Sequence, residues 1–222
     1  MLSVKGRKPI AVVVEPLARG LLALKLTPNT VTVLGTIGMM VASVTLIPTG
    51  HFWSALIVGI VVSSLDLLDG TMARLRGGGT KFGATLDASC DRLSDGVLFA
   101  SFAWWEMLTL IAAAHGAPNR LGITTWTLVA TLIVLITSPV ISYIKARAEA
   151  SGLSASGGIV ERAERIIGAG VALILLGLGV PFGLDVVMWL LAAGSVITVI
   201  QRLYRASTNE QAQGAIAPPE GA

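Results

Sequence analysis

Long apolar stretches are the feature of this sequence that most constrains its fold. Six of them follow one another, and each is close to or above the roughly 20 residues that an α-helix needs to cross a membrane. They occupy about residues 31–47, 53–73, 84–115, 124–150, 159–180 and 184–203. Because 54% of the residues are hydrophobic and only 13% are charged, the composition excludes a soluble globular domain. The sequence predicts an all-α integral membrane protein with six transmembrane helices.

The segment before the first span, about residues 7–25, has a different pattern. Apolar residues are mixed there with basic residues, and Pro9 and Pro16 break the pattern. Such a segment is typical of an amphipathic helix that lies in the membrane interface. Together with the six spans it is expected to form one membrane domain, residues 1–206. The tail, residues 207–222, is rich in Ala, Gln, Gly and Pro and is expected to be disordered.

Basic residues are distributed unevenly over the connections between the spans. They gather before the first span, between spans two and three, between spans four and five, and after span six, whereas Arg120 is the obvious one on the opposite side. The positive-inside rule therefore places both termini and the connection between spans two and three in the cytoplasm. A multi-pass protein of the inner (plasma) membrane is expected. This asymmetry accounts for the net charge of +3 without a nucleic-acid partner.

Four carboxylates lie at the end of the second span and the start of the third. Asp66 and Asp69 are three residues apart, which places them on one helix face. Asp87 and Asp91 are four residues apart, with the same consequence. The glycines 77–79 between the pairs would let the two helices turn back on each other. Because like charges share a buried pocket only when cations neutralise them, the sequence predicts a site for Mg²⁺ or Mn²⁺.

The carboxylates belong to a longer pattern, D-x2-D-G-x2-A-R-x8-G-x3-D-x3-D, which resembles the signature of the CDP-alcohol phosphotransferases. All eight fixed positions are matched, by Asp66, Asp69, Gly70, Ala73, Arg74, Gly83, Asp87 and Asp91. The alternative is two unrelated pairs of acids at helix ends on solvated faces. Charge at membrane depth is costly and usually functional, so the pattern favours an active site.

The carboxylates are expected to act on a phosphorylated substrate. Asp66, Asp69 and Asp87 are the firmest predicted metal ligands, and two bound ions would clamp a diphosphate during in-line displacement. The residues alone leave Asp91 as a metal ligand, a general base or both. The resemblance to the family assigns it the role of base. Asp95 continues the same row of side chains and is expected to support the site rather than to bind metal.

The resemblance also implies a site for CDP-diacylglycerol between the second and third spans. Its residues would be Asn29, Thr30, Val31, Thr32, Gly70, Arg74 and Thr80. Gly70 would allow the nucleotide to approach closely, and Arg74 would meet the diphosphate. The alternative role of Asn29 and Thr32 is to cap the first transmembrane helix. Thr80 has the alternative of being an ordinary loop residue.

The acceptor is expected to bind where basic residues flank the connection between spans four and five. They are more numerous than topology requires, so some are expected to bind a phosphate on the acceptor. The candidates are Lys145, Arg162, Arg165 and Arg202, at least one of which is expected to be an ion-pair partner of a nearby glutamate. The strings YIKARAE and ERAER resemble the actinobacterial phosphatidylinositol phosphate synthases. That branch of the family implies inositol phosphate as the acceptor and phosphatidylinositol phosphate and CMP as products.

Three other functions remain as alternatives. Glycerol 3-phosphate as the acceptor would keep the same chemistry. A divalent cation transporter would line an ion path with carboxylates, but the predicted acids are confined to two helices near one membrane face. A structural scaffold would leave the spacing of the acids unexplained. A homodimer surrounded by membrane lipids is expected by analogy with the family.

Overall fold

A computed structural model describes residues 7–209, Ala212 and Gly214, with side chains from Val14 onwards except that of Asp66. In this part of the chain the structure consists of seven α-helices and contains no strand. The helices are α1 (Arg7–Ala23), α2 (Pro28–Leu46), α3 (Phe52–Leu75), α4 (Lys81–Ala114), α5 (Thr125–Ala150), α6 (Arg162–Gly177) and α7 (Gly183–Ser207). Each lies within a few residues of a segment that the sequence predicts to be helical.

Five of the helices, α2, α3, α4, α5 and α7, are long and apolar enough to cross a membrane. This confirms the prediction of a helical membrane protein. The helix α6 has 16 residues, fewer than the roughly 20 that a crossing needs. It starts late because Glu161 and Glu164 form a capping box, in which Glu161 N donates to Glu164 Oε2 at 2.9 Å. The sixth crossing therefore stays a prediction.

The helix α1 runs through Pro16, within the segment of about residues 7–25 for which the sequence predicts an amphipathic helix. Its described side chains differ in exposure. Ala18 is buried, whereas Arg19 and Glu15 form an ion pair of 2.7 Å, mostly exposed, one turn apart on the same helix. The location of α1 in the membrane interface stays a prediction.

The chain divides into two compact units, of which the first ends at Ser101 and the second begins at Phe102. In the first unit, α1 and α2 both pack against α3. Their common core is formed by Ala18, Val31, Leu68 and Met72. The last two of these lie on the half of α3 that carries the signature, so this core fixes the position of the signature helix.

The connection from α3 to α4 is formed by the glycines that the sequence singles out. Gly77 and Gly78 have φ angles of 93° and 129°, which residues with a Cβ atom rarely adopt. Gly78 N donates to Ala73 O at 3.0 Å and Gly77 N to Arg74 O at 3.1 Å, which closes the end of α3. These bonds follow the last residue of α3, which lies five residues before Thr80, the residue that caps α4.

In the second unit, α7 packs against both α5 and α6. The connection between α5 and α6 also lies on α7, because Val160 N donates to Thr198 Oγ1 at 2.9 Å. Gly194 faces Val160 so closely that a Cβ atom at this position would collide with the valine side chain. The helix α7 therefore serves as the support on which the predicted acceptor residues are placed.

Two acids of the second unit accept hydrogen bonds from neighbouring helices that the sequence analysis did not predict. Glu106 is fully buried and accepts a hydrogen bond of 2.6 Å from Thr131 Oγ1 of α5. Asp185 at the start of α7 accepts one of 2.9 Å from Thr127 Oγ1 of the same helix α5. Buried polar groups need such partners. These acids thus join α4 and α7 to α5.

Candidate active site

An open cleft of about 510 Å³ lies in the first unit. It is bounded by the start of α2, the second half of α3, the glycine connection and the first two turns of α4. The residues that line it are Thr27, Pro28, Asn29, Thr32, Asp69, Gly70, Ala73, Arg76, Gly78, Gly79, Thr80, Gly83, Ala84 and Asp87. Residues 27–32 at the start of α2 therefore meet residues 69–87 of α3, the glycine connection and α4 around one cavity.

Five of the eight signature positions line this cleft, namely Asp69, Gly70, Ala73, Gly83 and Asp87. One carboxylate comes from α3 and one from α4, as the helical spacing of the acids predicts. Asp69 is buried at 9% exposure, whereas Asp87 is exposed. The small residues on both helices leave the space that the cleft occupies.

The other two carboxylates are placed differently. Asp66 lies in α3, but its side chain is outside the described residues. Asp91 is mostly buried, and its Oδ2 atom lies 3.6 Å from Arg92 Nη2. Asp95, one turn further along α4, is 1% exposed. Among the described side chains, no group of three or more acids, histidines or cysteines is arranged to hold a metal ion. The cage of four carboxylates therefore stays a prediction.

The two carboxylates of the cleft nevertheless fit a divalent metal. Asp69 Oδ2 accepts a hydrogen bond of 2.5 Å from Thr32 Oγ1, so this side chain is held in one orientation. Oxygen ligands of this type are what Mg²⁺ and Mn²⁺ prefer. Two anionic groups at one cleft also repel each other unless a cation lies near them. A metal at this position would be bound by Asp69 and Asp87.

Four of the residues predicted to bind CDP-diacylglycerol line the cleft: Asn29, Thr32, Gly70 and Thr80. They come from α2, from α3 and from the connection before α4. The structure thus brings residues from these three parts of the predicted nucleotide site to one cleft.

The other three predicted nucleotide residues do not line the cleft. The side chain of Val31 is 6% exposed and belongs to the core with Leu68 and Met72. The hydroxyl of Thr30 shares a hydrogen bond of 2.8 Å with that of Thr27. Arg74 is exposed, and its Nη2 atom donates to Thr71 Oγ1 at 2.8 Å. Their positions are therefore beside the cleft or beneath it.

The start of α2 is capped by Thr27, the residue before Pro28. Thr27 Oγ1 accepts a hydrogen bond of 3.1 Å from Thr30 N, and Pro28 occupies the first helical position. A threonine followed by proline is a common helix start. The alternative that Asn29 and Thr32 cap this helix is therefore wrong, and both side chains face the cleft.

Gly83 allows two polar groups to approach the start of α4. A Cβ atom at this position would lie 3.0 Å from Thr80 Oγ1 and 3.2 Å from Asn29 Oδ1, closer than ordinary van der Waals contact. Thr80 Oγ1 accepts a hydrogen bond of 2.9 Å from Gly83 N, so Thr80 caps α4 rather than being an ordinary loop residue. The glycine of the signature thus leaves room for Thr80 and Asn29 to lie close to the start of α4 at the cleft.

Arg76 is a further cleft residue that the sequence analysis did not single out as a ligand. It is an exposed cation that follows the last residue of α3, at the start of the glycine connection. The sequence analysis used this arginine only as a marker of topology. Its position beside the glycines is the signal that could have identified it, because a cation next to a flexible, small-residue loop is suited to bind phosphate.

The predicted acceptor residues lie in the second unit. Arg202 of α7 is 5% exposed and donates three hydrogen bonds. Its acceptors are Ile141 O at 2.6 Å, Gly157 O at 3.0 Å and Glu161 Oε1 at 2.9 Å. This arginine therefore ties α7 to α5 and to the connection that precedes α6, and it is the ion-pair partner that was expected for one glutamate.

The other three basic residues differ in their exposure. Arg165, in the first turn of α6, is fully buried, and Arg162 is half-buried. Lys145 is 47% exposed and lies 3.9 Å from Glu149, one turn away on α5. Burial of a guanidinium is costly, so we expect the buried Arg165 and the half-buried Arg162 to be held in defined positions. The exposed ion pair of Lys145 and Glu149 contributes little to stability.

Comparison with known proteins finds one family model and many similar chains. Residues 25–201 match the model of the CDP-alcohol phosphatidyltransferase family. The chain is 47% identical to the phosphatidylinositol phosphate synthase of Corynebacterium glutamicum, over 100% of this chain and 96% of that protein. It is 49% identical to the enzyme of the same name from Mycobacteroides abscessus, over 92% of this chain and 88% of that protein.

Solved structures give the same result. The crystal structure of Mycobacterium tuberculosis phosphatidylinositol phosphate synthase with CDP-diacylglycerol bound is 46% identical and has a TM-score of 0.81, covering 94% of this chain and 100% of that one. The structure of that enzyme in complex with manganese and citrate is 47% identical, with a TM-score of 0.78, and covers 92% and 94% of the two chains.

Proposed function

The chain belongs to the CDP-alcohol phosphatidyltransferase family, and from this membership we propose that it is a phosphatidylinositol phosphate synthase. It transfers the phosphatidyl group of CDP-diacylglycerol to a hydroxyl of inositol phosphate and releases CMP. The observation that carries this proposal is the identity of 47% with a synthase of that name along the whole chain. Membership of an enzyme family also argues against the cation transporter and the scaffold.

The donor site is the cleft of the first unit. Asn29, Thr32, Gly70 and Thr80 line it, and Thr30, Val31 and Arg74 are included on the resemblance to the family. The M. tuberculosis relative has been solved with CDP-diacylglycerol bound, which supports the same donor here. The exposed guanidinium of Arg74 and the small surface of Gly70 suit a diphosphate that approaches α3 closely.

The metal site is formed by the carboxylates of the signature. Asp66, Asp69 and Asp87 are the proposed ligands, with Asp91 as an additional one, and two ions of Mg²⁺ or Mn²⁺ are expected. The M. tuberculosis relative has been solved with manganese, which supports a divalent metal. When bound, the metal stabilises the negative charge that develops on the diphosphate.

Asp91 is the proposed general base. It accepts the proton of the acceptor hydroxyl, whose oxygen forms a bond to the phosphorus of the phosphatidyl group while the bond from that phosphorus to CMP breaks. The Nη2 atom of Arg92 lies 3.6 Å from Asp91 Oδ2, so a guanidinium is close to the proposed base. No covalent intermediate with the protein is needed.

The acceptor phosphate is proposed to bind the basic residues of the second unit. Arg202 and Arg165 are buried, so their positions are fixed before the acceptor arrives. Arg162 and Lys145 are more exposed and complete the proposed set. Preorganised guanidinium groups are suited to the oxygen atoms of a phosphate.

The membrane arrangement that we propose has six crossings, with α6 as the fifth and α1 in the interface. Both termini and the cleft face the cytoplasm. The protein is a homodimer in the inner membrane. Residues 1–206 form the membrane domain. Of the tail predicted to be disordered, residues 207–222, the structure describes residues 207–209, Ala212 and Gly214, and Ser207 is the last residue of α7. The rest of the tail lies outside the described residues.

The choice of acceptor is tested on the purified full chain in detergent with CDP-diacylglycerol and Mg²⁺ or Mn²⁺. We expect CMP release with inositol phosphate and little with glycerol 3-phosphate or free inositol. Release with glycerol 3-phosphate in place of inositol phosphate would reassign the enzyme to the alternative acceptor. A folded chain that binds metal but releases no CMP with any of the three would contradict the proposed function.

Substitution of Gly83 tests the donor site. In Gly83→Ala, the new Cβ atom crowds Thr80 and Asn29, so we expect kcat/KM for CDP-diacylglycerol to fall roughly 10-fold, mainly through KM. The matched control is Gly96→Ala in the same helix, where a Cβ atom meets nothing within 4 Å. Steady-state kinetics at saturating acceptor measure both. An equal loss in the two variants would mean that the space at Gly83 has no special role.

A further inference from the structure

The hydroxyl of Thr32 differs in its hydrogen bonding from other hydroxyls on the helices of the first unit. A threonine within a helix commonly donates to the carbonyl oxygen four residues earlier. Thr36, Thr45 and Thr71 do so at 2.8, 2.7 and 2.7 Å. In Thr32 the corresponding distance to Pro28 O is 3.1 Å, and the distance to Asp69 Oδ2 is 2.5 Å. Its single proton therefore points mainly at the carboxylate of the neighbouring helix.

This contact joins two helices at the cleft. Thr32 and Asp69 both line it, and they are 37 residues apart in the sequence. A hydroxyl that donates to a carboxylate forms a short, charge-assisted bond. Asp69 is 9% exposed, so water screens the bond little. Because the α1–α2–α3 core lies directly beneath, with Val31 beside Thr32 and Leu68 beside Asp69, the two side chains are held on a rigid base.

We propose that Thr32 is a positioning residue for Asp69: its hydroxyl orients this carboxylate for a divalent metal. Groups that hydrogen-bond a metal ligand fix its orientation, and their loss commonly weakens metal affinity 10- to 100-fold. The inference rests on the proposed metal site. It assigns Thr32 a role that acts through Asp69, in addition to any contact with the nucleotide that the resemblance to the family implies.

The experiment measures binding of Mn²⁺ alone to the purified full chain, from the electron paramagnetic resonance signal of the unbound ion. Thr32→Val keeps the branched shape but removes the hydroxyl, and we expect the Kd for Mn²⁺ to rise roughly 10-fold or more. Thr32→Ser restores the hydroxyl and should remain within about threefold of the unmodified chain. Thr36→Val is the matched control, because this hydroxyl binds only the backbone of its own helix in the described contacts.

Three results would overturn the proposal. In the first, Thr32→Val binds Mn²⁺ as tightly as the unmodified chain while its KM for CDP-diacylglycerol rises, which would mean that the hydroxyl serves the nucleotide instead. In the second, Thr36→Val weakens Mn²⁺ binding equally, which would indicate a general loosening of α2. In the third, the unmodified chain does not bind Mn²⁺. The titration uses neither lipid nor acceptor, so a failure of the proposed phosphatidyl transfer would be recognised separately, by the absence of CMP release.

Discussion

Asp91→Asn is expected to lower the rate of CMP release by roughly 10²- to 10⁴-fold, the usual contribution of a general base. The amide has nearly the same size as the carboxylate but does not accept the proton of the acceptor hydroxyl. Asp91 is mostly buried beside Arg92, and an amide oxygen preserves an acceptor for that guanidinium. The fold should therefore be retained. Single-turnover CMP release and Mn²⁺ binding are measured on the same preparation.

The control for Asp91 is Asp185→Asn in α7. Asp185 accepts a hydrogen bond from Thr127 Oγ1 at 2.9 Å, and the amide oxygen of asparagine can accept the same bond, so turnover should be unchanged. If Asp91→Asn turned over at the normal rate with normal Mn²⁺ binding, Asp91 would not be the base. If the variant lost Mn²⁺ binding together with turnover, Asp91 would be acting chiefly as a metal ligand.

Asp87→Ala is expected to weaken Mn²⁺ binding strongly and to lower the rate of CMP release on the order of 10³-fold. This corresponds to a loss of several kcal/mol of transition-state stabilisation. Asp87 lines the cleft from α4, opposite Asp69 of α3. Its side chain is exposed, so its removal should leave the fold intact, which the apparent Tm in detergent would show. Titration with Mn²⁺ and a CMP assay at high metal concentration measure the two effects.

Partial recovery of CMP release at high Mn²⁺ is expected for Asp87→Ala, because the remaining carboxylates still attract the ion. The matched control is Ser89→Ala, two residues further along α4, whose hydroxyl donates to Thr85 O at 2.8 Å. Wild-type affinity for Mn²⁺ in Asp87→Ala would contradict the assignment of this carboxylate as a ligand. A loss of the same size in Ser89→Ala would assign the effect to the helix rather than to the carboxylate.

The helices could be predicted from the sequence because their signals are local. Apolar runs of membrane length, the Thr27-Pro28 start and the glycines after α3 each act within a few residues. The prediction was less accurate where two local signals compete. The capping box of Glu161 and Glu164 starts α6 later than the apolar run suggests.

The candidate site could be predicted in part for the same reason. The glycines between the two pairs of carboxylates predict that the helices turn back on each other, and Asp69 and Asp87, one from each pair, line the same cleft. The burial of Val31 in the core could not be predicted, because one residue among four successive candidates faces inward for reasons of packing. Likewise, two of the three hydrogen bonds of Arg202 depend on carbonyl groups of α5 and of the connection before α6.

The sequence by itself determined the class of fold, the chemistry of the site and the family, since these depend on composition and on residues that are close together in the chain. The tertiary structure decided which hydroxyl holds which carboxylate and which arginine is fixed in place. Thr32 and Asp69 are separated by 37 positions, and Arg202 and Ile141 by 61. Contacts over such separations arise only when packed helices bring the side chains together, because hydrogen bonds act over about 3 Å and no local pattern records their partners.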